Sequence, residues 1–130
     1  MDRYRVEELI GPAKEVIDET FGRNASIKKI IRSKMSAFGA AIQMSGVLPA
    51  VAFYEDQEKS EDRKVIELIE KLYKRMYPGK SGTLFYMVKD EIRERHEMAV
   101  TDDVLCASIA LKLALNLFKL IEDNDAGGNA

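Results

Sequence analysis

The chain has 130 residues, 46% of them hydrophobic and 32% charged, with a formal net charge of −2. That length and balance suit one globular domain with its own core and exclude an intrinsically disordered chain. One cysteine, Cys106, and one histidine, His96, exclude an intramolecular disulfide framework and a multi-cysteine zinc site.

Leu, Ala, Ile, Lys and Glu recur, prolines number only three, and alternating Val/Ile/Thr runs are absent. The expected fold class is therefore all-α, a single-domain bundle of about five to six helices around a central apolar C-terminal helix. It is expected to span residues 1–122, with a disordered tail at 123–130. The start, Met1-Asp2-Arg3-Tyr4-Arg5-Val6-Glu7-Glu8, lacks the apolar stretch of a signal peptide, so a cytoplasmic location is expected.

Val6, Leu9, Ile10, Ala13, Val16, Ile17 and Phe21 recur with a helical period, interrupted by Gly11-Pro12. Either one kinked helix or two short ones satisfies that pattern. A turn at Gly22-Arg23-Asn24 precedes a second helix, with Ser26 as its expected N-cap and Ile27, Ile30, Ile31, Met35, Phe38 and Ile42 as its buried stripe. Lys28, Arg32 and Ser36 line up on another face at four-residue steps. The small residues Gly39, Ala40 and Ala41 would let a neighbouring helix approach closely. Ser45-Gly46 weakens this helix, and Pro49 marks a kink or restart with Val51, Ala52 and Phe53 buried.

Ser60 is a reasonable N-cap for a helix carrying Val65, Leu68, Ile69, Leu72, Tyr73 and Met76. Pro78-Gly79-Lys80-Ser81-Gly82 is the clearest break, and Leu84, Phe85, Val88 and Ile92 follow on a further helix. Thr101 reads as the N-cap of the last helix, with Asp102 and Asp103 complementing its dipole and its end near Glu122. The apolar run from Val104 to Ile121 is interrupted by Lys112, Asn116 and Lys119, so it reads as a core helix and not a membrane span.

Chemistry is sparse. Val100 stands where a metalloprotease motif built on His96 needs its second histidine. Gly79-Lys80-Ser81 lacks the earlier glycine of a phosphate-binding loop, since Lys74 is there. Cys106 has no basic neighbour to activate its thiol, and the acid pairs read as solvated helix faces. The expectation is a protein that is not an enzyme, with no catalytic residue, no metal, no cofactor and no small-molecule substrate.

Charge is unevenly distributed. From Thr20 to Tyr54 there is no acid, while Arg23, Lys28, Lys29, Arg32 and Lys34 are all cationic. The rest of the chain has 15 basic and 22 acidic residues. A cationic, acid-free surface suits a phosphate backbone. A second cluster, Lys71, Lys74 and Arg75, lies close to Glu67 and Glu70.

The run Arg32-Ser33-Lys34-Met35-Ser36-Ala37-Phe38-Gly39-Ala40-Ala41-Ile42-Gln43-Met44-Ser45-Gly46-Val47, continuing to Ala52-Phe53-Tyr54, resembles the smallest helical subunit of the Cmr-type (type III-B) CRISPR effector complexes. Ile42, Gly46 and Ala52-Phe53 stand at matching places, and Leu117-Phe118-Lys119 resembles the end of the family's last helix. The chain departs from the pattern at Gly39 (usually proline), Ser45 (usually asparagine) and Glu55-Asp56-Gln57 (where a lysine is usual), and it has no tryptophan. The resemblance implies a non-catalytic subunit that stacks on copies of itself beside the backbone subunits, along the guide RNA–target RNA duplex. Arg32 and Lys34 match the family's basic stretch, Lys28 and Lys29 extend it, and Lys119 matches the terminal basic run. With Arg23 these are the expected RNA-binding residues. A helical interaction or dimerising adaptor that never touches RNA is the rival reading.

Overall fold

Helical periodicity is realised in α1 (Arg3–Phe21), α2 (Lys29–Ser45), α3 (Val47–Glu55), α4 (Ser60–Met76), α5 (Leu84–Glu94) and α6 (Glu97–Leu115). Two three-residue strands, β1 (Ser26–Lys28) and β2 (Lys119–Ile121), complete the architecture. A computed structural model describes residues 3–58 and 60–122, so the tail expected at 123–130 lies outside the described residues. Among the described residues the fold is the expected all-α bundle of six helices, and none of them is long and apolar enough to cross a membrane.

The centre is α6. Ten of its 19 residues are buried, among them Val100, Val104, Ala107, Leu111 and Leu115, and it packs against each of the other five helices. An apolar circumference of that kind has to be wrapped on most sides. The stripes of α1 (Ala13, Val16, Ile17), α2 (Ile31, Met35, Phe38, Ile42) and α4 (Val65, Leu68, Ile69, Leu72, Tyr73) supply the wrapping.

Of the two readings of Gly11-Pro12 the single helix holds, with Pro12 inside one continuous α1. Several other boundaries differ from expectation. Ser26 is not an N-cap: residues 26–28 form β1, and α2 starts at Lys29. Hence the expected row of Lys28, Arg32 and Ser36 on one helix face starts only at Arg32. Gly46 adopts φ 97° and separates α2 from α3, so the chain stops and restarts, with Pro49 in the first turn of α3. Proline is tolerated there because first-turn N–H groups have no intrahelical partner. Val51 is buried, but Ala52 and Phe53 face solvent.

The last helix also starts and ends earlier than expected. His96, not Thr101, caps α6, its Nδ1 accepting from the Ala99 N–H at 3.3 Å. At the other end, Asn116, Leu117 and Phe118 donate to carbonyls three residues back. The chain then leaves as β2, which pairs parallel with β1 in the register Ser26↔Lys119, Ile27↔Leu120, Lys28↔Ile121. Ile27 is buried and Leu120 packs on the core, so alternation sends Lys119 outward. Phe118 and Leu120, both half-buried, rest against the core from the turn and the strand, whereas a continued helix would set them about 160° apart.

Asp103, expected to be a solvated dipole partner, is 1% exposed. Arg5 from α1 and Arg95 from the end of α5 both pair with its carboxylate. Tyr77, just beyond α4, donates its hydroxyl to the same carboxylate at 2.6 Å and accepts from Arg5 at 3.0 Å and Arg95 at 3.2 Å. Arg95 also reaches the buried Glu91 at 3.0 Å, and Lys80 pairs with Glu91 in turn. Four helices are thereby joined through one hidden charge cluster. Deleting one side of a buried, hydrogen-bonded ion pair leaves uncompensated charge. Asp103→Ala is expected to lower unfolding free energy by about 3 kcal/mol in urea titration, and a loss below about 1 kcal/mol would show the cluster to be peripheral.

Tyr73 lies against this cluster, fully buried, and its hydroxyl has no hydrogen-bond partner among the described residues. Burial, reinforced by Glu91 and Asp103, pushes its ionisation well above the ordinary tyrosine value. An orphan buried hydroxyl is a cost. Tyr73→Phe is therefore expected to be neutral or stabilising, by up to about 1 kcal/mol. Because the folded state holds this proton more tightly than the unfolded state, stability is complete below about pH 10 and falls as pH rises beyond it. The variant should lose less stability than the parent over that alkaline window, and identical pH profiles would contradict the assignment.

Candidate nucleic-acid interface

The acid-free stretch runs from the end of α1 through β1 and α2 into α3. Arg23 sits exposed in the turn after α1, Lys28 ends β1, and Lys29, Arg32 and Lys34 belong to α2. Lys119, more than eighty positions from Lys34, opens β2. Parallel pairing sets Lys119 beside Ser26, so Lys28 lies two residues along the neighbouring strand on the same outward face. Sequence proximity alone would not have joined them.

The five cations of the stretch do not form one patch. Lys34 is rotated about 160° from Arg32 around α2. Its Nζ lies 3.3 Å from the carboxylate of Asp62, which is 4% exposed at the start of α4. Next to it the Glu61 carboxyl is held below its ordinary value, chiefly by its own backbone N–H, with smaller help from the Ser60 hydroxyl, Lys28 and Lys34. Lys34 is thus mainly a fastening between α2 and α4.

Around the other side, Lys29 pairs with Glu122 at 2.9 Å, both partners at least half exposed. Arg32 donates to the Asn116 side-chain oxygen at 2.7 Å, near the end of α6. That bond orients the guanidinium without cancelling its charge. Four residues before Asn116 stands Lys112, exposed and without an ion pair among the described residues. Arg32 and Lys112 accordingly lie along the seam between α2 and α6, with the screened Lys29 one turn back on α2, while Lys119 stands on the strand pair beside Ser26. Lys112 is the residue that sequence reasoning missed. Its spacing from Asn116 and Lys119 was visible, but it served only to reject a membrane span.

The second basic cluster is largely neutralised. Arg75 forks between Glu15 and Glu19 of α1, while Lys71 pairs with Glu67 at 3.0 Å and donates to Thr20 at 2.9 Å.

Beside the cationic edge, α2 and α6 run antiparallel. Arg32 meets Asn116 at one end, and Gly46 lies near Glu97 at the other. Midway, a Cβ placed on Gly39 would sit 3.6 Å from Ser108 Oγ. The small side chains leave a surface groove of ≈ 230 Å³ lined by Met35, Ser36, Ala40, Leu105, Ile109 and Lys112, among others. Among the described residues, no group of three His, Cys, Asp or Glu side chains is disposed to hold a metal ion.

Compared with models of protein families, with curated proteins and with solved structures, the chain finds no match. The functional reading therefore rests on the residues themselves.

Two substitutions separate the fastening lysine from the surface ones. Lys34→Ala strands the buried Asp62 carboxylate and is expected to cost about 1–3 kcal/mol. Lys29→Ala breaks an exposed pair and should stay within about 0.5 kcal/mol. Thermal denaturation of both variants reads the contrast, and equal losses would refute the division of roles.

Proposed function

We propose that this protein is a cytoplasmic, non-catalytic small subunit of a type III-B, Cmr-type CRISPR effector complex. In that role it stacks in an inner filament beside the backbone subunits and holds target RNA along the guide. The observation that carries the reading is the parallel β1–β2 pairing. It brings Lys119, from the far end of the chain, beside the strand that carries Lys28 and leads into Lys29 and Arg32, on an otherwise acidic molecule.

A few cations give weak, salt-sensitive binding to a phosphate backbone. Repetition makes such binding useful, because each further copy on the same duplex binds as though intramolecularly. The net charge of −2 limits indiscriminate binding of nucleic acid by a single copy. Glu122, opposite Lys29, tempers the patch further.

A second reading, an adaptor that contacts only proteins, is favoured by the exposure of Met44, Phe53, Tyr86 and Met98, each more than 60% accessible. Isolated apolar residues at a surface are ordinary, so several together are needed to support it.

The decisive variant is Arg32→Glu combined with Lys119→Glu, which leaves the Lys34–Asp62 fastening intact. For the isolated protein, RNA affinity measured by fluorescence anisotropy is expected to fall at least about tenfold at low salt. Parent binding should itself weaken by about tenfold between 50 and 200 mM salt, as contact with about two to three phosphates implies. In the assembled complex, the variant should open the target RNA to nuclease at the positions this subunit covers. An unchanged footprint and unchanged affinity would leave the adaptor reading standing.

A further inference from the structure

We infer that the α2/α6 groove is a docking site for an amphipathic helix of a partner protein, one that presents aliphatic side chains to the groove and acidic side chains to its Lys112 end. This goes beyond the RNA reading and stands without it.

The surface has the dimensions of a helix-binding seam. From Met98 to Lys112 the open face of α6 extends about 21 Å, or roughly four helical turns. Met98, Leu105, Ile109 and Lys112 recur along it at three-, four- and seven-residue steps, facing out from a helix whose other sides are buried. Across the seam, α2 contributes Ser36, Gly39, Ala40 and Gln43 to the groove. Met44 and Met98 stand at one end, 86% and 80% exposed. Unbranched thioether side chains of that kind adapt to the shape of an incoming apolar face.

Charge selects the occupant. At the Met98 end stands Glu97, with Asp102 paired to Arg5 at 3.7 Å, whereas Lys112 lines the other end, one turn from the Asn116 that holds Arg32. A partner with acidic groups at the Lys112 end is complementary there, and one that sets its acidic groups beside Glu97 is repelled. The groove lining contains no aromatic ring. Nucleobases bind mainly by stacking on aromatic or guanidinium planes, so a ring-free lining of Met35, Ala40, Leu105 and Ile109 with Ser36, Gln43 and Ser108 between them favours a protein helix laid by its apolar face.

Two synthetic amphipathic peptides of about eighteen residues test this, identical in their leucine face and bearing either glutamates or uncharged glutamines at one end. The protein's net negative charge disfavours the glutamate peptide, so a preference for it reports the local cations. The glutamate peptide should bind at least tenfold more tightly in fluorescence anisotropy and shift the amide signals of Ser36, Ala40, Leu105, Ile109 and Lys112. Ala40→Tyr, at an exposed position, should weaken it at least tenfold without lowering the melting temperature, and Lys112→Glu should erase the preference. Equal binding of both peptides, or binding indifferent to Ala40→Tyr, would overturn the proposal. So would a uridine oligonucleotide that shifts the same amides and displaces the peptide, or the same shifts arising from protein concentration alone. The Arg32/Lys119 reversal reads RNA binding separately, so failure of one reading is distinguishable from failure of the other.

Discussion

A helix that is apolar on most sides cannot be left at a surface, and the architecture follows from that constraint. Val100, Val104, Ala107, Leu111 and Leu115 leave α6 only a narrow outward strip, so the other helices assemble around it. Wrapping has a consequence at the helix start, where Asp103 is carried inward with its apolar neighbours. A carboxylate in that position is tolerable only with full compensation. Arg5, Arg95 and Tyr77 supply it from three directions and, in doing so, specify how α1, α4 and α5 approach α6. The hidden charge cluster is thus a product of the apolar constraint and a reason for the unique packing that satisfies it.

The same constraint accounts for the outer surface. Once α6 is enclosed, its remaining strip meets α2 across small residues, and a groove opens instead of a filled ridge. At the far end the chain leaves helical geometry and rests Phe118 and Leu120, half-buried, against the core, with Lys14 over the Phe118 ring at 5.4 Å. Lys119 then emerges beside β1. Cationic edge and apolar groove are therefore adjacent, and they suit different kinds of partner. Phosphate contact needs accessible charge, while helix docking needs a dry lining.

Much of the bundle was legible in the sequence because helix periodicity is a local signal. The buried stripes of α1, α2 and α4 are largely the ones their spacing marks. The misplaced boundaries share a cause, since each depends on partners distant in the chain. Ser26 resembles an N-cap until β2 arrives to pair with it, and Asp102-Asp103 resembles a helix start until Arg5 and Arg95 close on the second carboxylate. Phe53 was placed inside on hydrophobicity alone, yet the restart after Gly46 turns it outward.

By itself, the sequence determined that the protein is helical, that its last helix is central, and that its cations concentrate between Thr20 and Tyr54. These are properties of composition and local spacing, and they need no knowledge of contacts. Only the tertiary structure decided which of those cations are available. Lys34 is drawn to a buried carboxylate, Lys29 is screened by Glu122, and from the other end of the chain Lys112 comes to the α2 seam and Lys119 to β1. The physical reason is that charges interact through space, and a residue's nearest countercharge here lies as many as 93 positions away.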